Sequence, residues 1–257
     1  MIIGVHNPKG GCGKTTTAVN VAAVLAGTGR RVLLVDLEPY AGASISLGVA
    51  PADLRPSVAD VLLGHTKPQG ATRVVEAVPN LSLLTGSPAL TDIDQVLADL
   101  RHPERRLAEL IGPLQATFDV VMLDAPNGFS LLARSVPYAA KHLVVPVQPS
   151  YLPLEGLAQY LRWYQALRAR RKGLATLLGI VLTQVDYRAA ATREIVEIIR
   201  IHNREGVFDT EVPRDSRTTE APSHGLPLVA YAPSSPAAVA YHRLTGEILQ
   251  RLSRTDR

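Results

Sequence analysis

Residues 7–16 read Asn-Pro-Lys-Gly-Gly-Cys-Gly-Lys-Thr-Thr, between a short apolar segment and a segment of helix length. Glycines permit the positive φ angles that turn successive backbone N–H groups toward phosphate oxygens. The first turn of the helix that follows adds its partial positive charge. The stretch therefore predicts a phosphate-binding loop between the first strand and the first helix of an α/β fold.

The residues of this loop have separate predicted tasks. Lys14 is expected to reach the β- and γ-phosphates of a nucleoside triphosphate, and the Thr15 hydroxyl to bind Mg²⁺. The strict pattern G-x-x-x-x-G-K-[ST] is not met, because Pro8 stands where its first glycine belongs. The variant present is K-G-G-x-G-K-T-T, with an extra lysine at position 9. The predicted nucleotide contacts in the loop are Lys9, Gly10, Gly11, Cys12, Gly13, Lys14, Thr15 and Thr16, with Cys12 as a small residue in the variable position.

Two further apolar segments end in acids. Val-Val-Met-Leu at 120–123 precedes Asp124, and Val-Leu-Leu-Val at 32–35 precedes Asp36. A carboxylate at the end of a buried strand is the ligand that Mg²⁺ and its waters need in such a site. Asp36, Asp124 and Thr15 are therefore predicted metal ligands.

Short β-branched runs alternate with segments of helix length along the chain. The strand runs are continuously apolar, as in strands buried on both faces, and the alternation indicates a mostly parallel sheet. Predicted strands are 2–6, 31–36, 81–84, 119–124, 142–147, 177–183 and 207–212; predicted helices are 14–27, 103–116, 130–140, 153–172, 190–205 and 236–252. Around the third strand, residues 51–88 are expected to form loops with at most a short helix. The expected fold is α/β, one doubly wound sheet with helices on both faces, in a single domain over 1–257.

Composition narrows the class of protein. The chain has 257 residues, 46% of them hydrophobic, which suffices for one large core. No apolar run reaches the roughly 18 residues of a membrane span, and no signal peptide precedes the first strand. The single cysteine excludes an intrachain disulfide and a multi-cysteine metal site. A cytoplasmic protein is expected.

The charge is distributed unevenly. Residues 1–128 carry 10 Lys and Arg against 12 Asp and Glu, whereas residues 129–257 carry 17 against 11. A polyanion partner for the basic half and a solvated basic surface both remain open. The same two interpretations stay open for the segment 160–172, which combines three aromatic residues with five cations.

The chain resembles the ParA/Soj family of deviant Walker-A ATPases over nearly its whole length. The resemblance rests on five blocks, namely 9–16, 32–39, 124–126, 145–156 and 212–225. It implies an ATP- and Mg²⁺-dependent homodimer in which Lys9 reaches the partner subunit's phosphates. It also implies nucleoid-associated binding of nonspecific double-stranded DNA and a ParB-like activator of hydrolysis. The chain is similar to the short chromosomal type, without an N-terminal DNA-reading domain.

The resemblance also assigns residues outside the loop. Pro213 and Arg214 are expected to contact the nucleotide, and Arg188 and Arg217 to contact DNA. The family usually has V-D-x-D-P-Q-G-N where this chain has V-D-L-E-P-Y-A-G, so the acid tied to hydrolysis is Glu38. Glu38, Lys9, Lys14 and Asp124 are the predicted catalytic residues. The usual D-x-P-P is D-A-P-N here, with Asn127 in place of the last proline.

The alternative function is that of a MinD-like membrane-associated positioning ATPase. It needs a C-terminal amphipathic anchor, and residues 248–257 have basic residues but too little apolar face. No stable membrane anchor is therefore expected. An iron–sulfur reductase of the nitrogenase type is excluded, because its cluster needs two cysteines per subunit. The cargo and the activating partner are not specified by the sequence.

Overall fold

The computed structural model describes residues 1–203 and 206–255, and within them eight strands form one sheet. The order across the sheet is β3-β4-β2-β5-β1-β6-β7-β8, and every pair is parallel except β3 with β4. The strands are β1 (Ile2–Val5), β2 (Val32–Asp36), β3 (Thr72–Val74), β4 (Leu81–Leu84), β5 (Val120–Asp124), β6 (His142–Val147), β7 (Thr176–Val185) and β8 (Val207–Pro213).

Helices connect the strands and cover both faces of the sheet. They are α1 (Lys14–Gly27), α2 (Gly42–Ser46), α3 (Val58–Leu62), α4 (Pro68–Ala71), α5 (Ile93–Ala98), α6 (Arg106–Ile111), α7 (Leu131–Ala139), α8 (Tyr151–Arg170), α9 (Ala190–His202), α10 (Arg217–Glu220), α11 (Leu228–Tyr231) and α12 (Pro236–Thr255). Helices α1 and α12 pack on one face, and α6 and α7 contribute to the core of the other. Among the described residues, no helix has both the length and the apolar character needed to cross a bilayer.

Strand β2 illustrates why the predicted strands lack polar alternation. Val32 and Leu34 belong to the core beneath α1 and α12, whereas Leu33 and Val35 belong to the core on the opposite face. All four side chains are fully buried. A central strand of a doubly wound sheet needs apolar residues on both faces, so the predicted fold class is confirmed.

Residues 51–88 depart from the prediction, because they contain two short helices, α3 and α4, and the antiparallel edge strand β3. A capping box begins α3, in which the backbone N–H of Ser57 donates to Asp60 at 2.8 Å. The S-x-x-D spacing was a usable signal for that helix. The expectation of loops with at most a short helix was wrong.

The ends of several other elements also differ from the prediction. The predicted helix 103–116 is split, since α6 ends at Ile111 and a 3-10 turn begins at Gly112, just before Pro113. Proline has no N–H for a continued helix. Helix α8 begins at Tyr151, ahead of the predicted start, and ends at Arg170. Helix α9 ends at His202, and the last two residues predicted for it lie outside the described residues.

Candidate nucleotide-binding site

The loop at residues 7–16 has the backbone conformation that its glycines predict. Gly11 has φ 73° and Gly13 has φ 82°, both in the left-handed region. The end of β7 holds the loop from behind. Thr183 donates its hydroxyl to the Cys12 carbonyl at 2.8 Å, and Gln184 donates its amide to the Gly11 carbonyl at 2.6 Å. With these carbonyls engaged toward β7, backbone N–H groups remain to line the cavity in front.

Lys14 begins α1 and is buried, with 5% of its surface exposed. Its Nζ donates to the Lys9 carbonyl at 2.9 Å and to Asn127 Oδ1 at 2.7 Å. The ammonium is therefore held at the mouth of the loop by two neutral oxygens. A phosphate oxygen is a stronger, charge-assisted acceptor and would compete with them for the ammonium.

Asp124 ends β5 next to this lysine and is fully buried. Neither of its carboxylate oxygens has a hydrogen-bond partner in the described part of the chain. Burial, and next the neighbouring Asp36, raise the pKa of Asp124 well above its usual range. The Thr15 hydroxyl and the Lys14 ammonium lower that pKa, but Thr15 does not reach hydrogen-bond geometry with either oxygen. A buried, unsatisfied carboxylate beside a hydroxyl fits a divalent cation with its waters.

Asp36 lies beside Asp124 in register on the neighbouring strand, but its carboxylate is engaged. One oxygen accepts from the Ser44 backbone N–H at 2.9 Å and from the Ser44 hydroxyl at 2.7 Å. The other accepts from the Glu38 N–H at 3.1 Å. Burial nevertheless raises the pKa of Asp36. The structure thus gives Asp36 a role in fixing the segment from β2 to α2, and the orphaned carboxylate of the pair is Asp124.

A cavity of about 780 Å³ opens in front of the loop. Lys14, Thr15 and Glu38 form one side of it, and the segments that follow β7 and β8 form the other. The predicted site residues that line it are Gly11, Gly13, Lys14, Thr15, Thr16, Glu38, Arg188, Pro213 and Arg214. The structure therefore brings together the two distant parts of the predicted nucleotide site.

Other predicted residues lie beside this cavity rather than in its wall. The Lys9 side chain is partly exposed, and its ammonium makes no hydrogen bond or ion pair with a described residue. Cys12 is buried, and its thiol donates to the Lys9 carbonyl at 3.2 Å. Burial raises the pKa of that thiol, as expected for a residue that fills space. Arg217 is paired with Asp215, whose own atoms line the cavity.

The residues that support the loop from below were not predicted from the sequence. His6, at the end of β1, is buried and accepts from the Tyr160 hydroxyl at Nδ1 (2.9 Å), while its Nε2–H donates to the Ala133 carbonyl (3.0 Å). Burial lowers the pKa of His6 to about 4, so the ring is neutral at pH 7. In the segment 160–172, Tyr160 and Tyr164 are core residues, whereas Arg162 and Arg168 are exposed. The aromatic residues thus anchor α8 under the site, and the cations lie on its solvated side.

The unsatisfied carboxylate gives a testable prediction, that Asp124→Asn stabilises the nucleotide-free protein by about 1 kcal/mol or more. The variant should also lose Mg²⁺-dependent ATP binding. Because the folded pKa of Asp124 is raised, its favourable contribution is present below the unfolded pKa, about 3.9, and is lost as pH rises through the folded value. The stability advantage of the variant should therefore grow from acid to neutral pH in chemical denaturation curves. A variant that is less stable than wild type at neutral pH would contradict this account.

Comparison with known proteins places the chain among relatives of similar length. A family model described as an AAA domain matches residues 1–176. The chromosome-partitioning ATPase Soj of Thermus thermophilus is 39% identical over 250 residues, which cover 97% of this chain and 96% of that protein. The chromosome partitioning protein ParA of Caulobacter vibrioides is 31% identical over 252 residues, covering 97% and 94%.

Solved structures agree in fold. Cobyrinic acid a,c-diamide synthase from Mycobacterium smegmatis with bound ADP and magnesium superposes with a TM-score of 0.84 at 29% identity, over 98% of this chain and 95% of that one. The septum site-determining protein MinD of Pyrococcus horikoshii, complexed with Mg-ADP, has a TM-score of 0.77 at 27% identity, over 96% and 95%.

Fold and site together define the class. A glycine-rich loop between β1 and α1, a buried lysine at its end and an orphaned acid on the neighbouring strand are those of a P-loop ATPase, whose nucleotide is ATP and whose metal is Mg²⁺. Within that class, relatives at 31–39% identity over nearly the whole chain settle the family. The chain belongs to the ParA/Soj family of chromosome-partitioning ATPases.

Proposed function

We propose that the chain is a single-domain partition ATPase that binds nonspecific double-stranded DNA as an ATP-dependent homodimer. The observation that carries the proposal is a pair of arginine side chains at the ends of two neighbouring strands. Val185 of β7 and Pro213 of β8 are register partners, and Arg188 and Arg217 follow them within a few residues. Both arginines therefore lie at the carboxyl edge of the sheet, where Arg188 lines the nucleotide cavity and Arg217 pairs with Asp215, which also lines it.

Each arginine is held by an aspartate two residues before it. Arg188 donates from Nε and Nη2 to Asp186 at 2.7 and 2.6 Å, and Arg217 donates in the same way to Asp215 at 2.8 and 3.0 Å. The two arginine side chains are 85% and 41% exposed. A guanidinium has five N–H donors, so each keeps three for a phosphate. Exposed arginines with free donors can bind phosphates, and phosphate contacts carry no base sequence information.

Dimerisation explains how ATP controls DNA binding. The Lys9 ammonium makes no hydrogen bond or ion pair with a described residue, and in the proposed dimer it reaches the phosphates of the other subunit. Two weak DNA surfaces then lie on one particle and act as one avid site, without a large conformational change. Binding is therefore expected to be independent of sequence and sensitive to salt.

The geometry of the cavity supports the remaining proposed roles. Mg²⁺ held near Thr15 and Asp124 would supply positive charge to offset the charge of the phosphates. Lys14 and the loop N–H groups hold the phosphates, Thr15 and Asp124 hold the metal and its waters, and Glu38 orients the attacking water. A ParB-like protein is proposed as the activator, and the protein is proposed to act in the cytoplasm at the nucleoid, moving DNA as the partition relatives do.

A MinD-like membrane function is the second candidate, favoured by the structural similarity to MinD. The packing of α12 weighs against it. Leu244, Ile248 and Leu252 form the apolar face of α12 and are buried in the core with α1. Over the described part of that helix, the apolar face is consequently not available to insert into a membrane interface.

Binding to double-stranded DNA in the presence of a non-hydrolysable ATP analogue tests the proposal. Arg188→Ala or Arg217→Ala removes two phosphate contacts per dimer and should lower the slope of log K against log[salt] by nearly 2. Arg31→Ala is the matched control. Arg31 is paired in the same way with Asp119, at 2.8 Å from Nη2, but it precedes β2 at the amino edge of the sheet. Its loss should leave the slope unchanged.

Two results would contradict the DNA-binding proposal. A wild-type protein that binds no DNA at low salt with the analogue, but sediments with anionic vesicles, would replace the DNA proposal by the MinD-like one. Equal losses in Arg31→Ala and Arg188→Ala would mean that net charge alone, rather than this surface, governs DNA binding.

A further inference from the structure

The two departures from the family motif meet in the folded protein. The backbone N–H and the side-chain amide of Asn127 both donate to the same Glu38 oxygen, at 3.0 and 3.2 Å. The side-chain carbonyl of Asn127 accepts from Lys14 Nζ at 2.7 Å. One amide thus bridges the lysine that holds the phosphates and the acid assigned to the attacking water.

Neither family residue could make this contact. A proline at position 127 has no backbone N–H and no side-chain amide, so it would supply neither donor. An aspartate at position 38 is shorter by one methylene, about 1.5 Å. Its oxygen would fall short of donors that Glu38 reaches at 3.0 and 3.2 Å. The contact therefore requires the glutamate and the asparagine together, and either family residue alone would remove it.

We infer that Asn127 is a positioning residue that holds the longer side chain of Glu38 where it can orient the attacking water. The inference rests on the proposed role of Glu38 in hydrolysis and extends it to a second residue. Glu38 is further steadied at its backbone, because its N–H donates to Asp36 at 3.1 Å. With its backbone fixed by Asp36 and its carboxylate fixed by Asn127, the glutamate has little freedom left to misplace a water.

The hydrogen bond from Lys14 to Asn127 allows the effect of Asn127 on ATP binding to be distinguished from its effect on hydrolysis. Asn127 lines the cavity and accepts from the Lys14 ammonium, which a phosphate oxygen would engage when ATP binds, so Asn127 would compete with ATP for this donor. Variants of Asn127 are therefore expected to keep the affinity for ATP and to change the rate of hydrolysis. Asn127 is exposed in the segment between β5 and α7, so its replacement spares the core.

A double-mutant cycle tests the inference. Glu38→Asp and Asn127→Pro should each lower single-turnover hydrolysis roughly tenfold or more, since small misplacements of reacting groups have effects of this size. The Glu38→Asp/Asn127→Pro double variant should be no slower than the slower single variant, within about threefold, because both changes remove the same contact and their effects do not multiply. By the family motif alone, Glu38→Asp would instead be expected to preserve turnover. Asn127→Ala keeps the backbone donor and should lie between wild type and Asn127→Pro.

A second measurement does not depend on activity. In ¹⁵N-resolved NMR spectra of the nucleotide-free protein, the Asn127 amide proton should shift upfield and exchange faster in Glu38→Asp than in wild type, as its acceptor is withdrawn. Glu76→Asp is the control, because it shortens an exposed acid by the same methylene group. It should leave that amide unchanged.

Failure of the role inferred for Asn127 can be distinguished from failure of the role proposed for Glu38. Effects of the two single changes that multiply in the double variant would overturn the positioning role. So would an Asn127 amide whose shift and exchange are the same in Glu38→Asp as in wild type. Undiminished hydrolysis in Glu38→Ala would instead remove Glu38 from the reaction, and with it that part of the proposed function.

Discussion

Lys14→Ala is expected to abolish ATP binding, whereas Lys9→Ala should bind ATP and remain a monomer. Lys14 is buried at the mouth of the loop, and its Nζ is held within 2.9 Å of two acceptors that a phosphate oxygen can replace. A charge-assisted hydrogen bond contributes about 1.5–3 kcal/mol, and the variant loses every such bond from this ammonium to the phosphates. A loss of affinity of about 100-fold or more follows. Fluorescent-nucleotide binding measures it.

Lys9 supplies the contrasting half of this prediction. Its side chain is partly exposed, and its ammonium has no hydrogen-bond or ion-pair partner in the described part of the chain. Removing it therefore breaks no polar side-chain contact within the subunit. The cation is instead proposed to act across the dimer, where it offsets charge on the γ-phosphoryl. Sedimentation velocity with ATP should show a dimer for wild type and for Lys67→Ala, an exposed-lysine control, but not for Lys9→Ala. A Lys9→Ala protein that dimerises normally would refute the trans role.

Glu38→Ala is the second large effect, expected to lower hydrolysis by roughly 10²–10³ while ATP binding survives. Glu38 lines the cavity, and the hydrogen bonds of its carboxylate go to Asn127 rather than to the described loop residues, so the loop's phosphate ligands should stay in place. With hydrolysis blocked, the ATP-bound dimer should persist, and sedimentation should show it hours after mixing. Phosphate release in single-turnover reactions gives the rate.

The control for this variant is Glu76→Ala, which removes an exposed acid far from the loop in sequence. It should match wild type in both assays. Unchanged hydrolysis in Glu38→Ala would transfer the role to another acid, with Asp124 and Asp36 the first to be replaced.

The local sequence pattern was sufficient to predict the phosphate loop and the two acids that end neighbouring strands. Each of the main site residues lies at or just after the carboxyl end of a strand. The loop with Gly11, Gly13 and Lys14 follows β1, and Asp36 and Asp124 end β2 and β5. Parallel strands bring their carboxyl ends to one edge, so residues distant in the chain could be assigned to one cavity before the structure was known. The missed elements α3, α4 and β3 are short and peripheral, where periodicity carries little signal.

Which acid is engaged and which is left unsatisfied depended on tertiary structure. Asp36 and Asp124 look alike in sequence, since each ends an apolar strand. Only folding brings Ser44 onto Asp36, leaving the carboxylate of Asp124 buried without a hydrogen-bond partner among the described residues. The distinction follows from side-chain contacts that no strand pattern encodes.

The sequence by itself determined the phosphate loop, the doubly wound sheet and the family, because these rest on short-range spacing and on apolar runs that any buried parallel strand requires. Tertiary structure alone decided which departures from the family motif belong together. Glu38 and Asn127 are 89 residues apart, and His6 and Tyr160 are 154 apart. Contacts between residues so far apart in the chain form only when the strands and helices pack together. A single sequence gives the identity of each residue but does not show which residues it contacts.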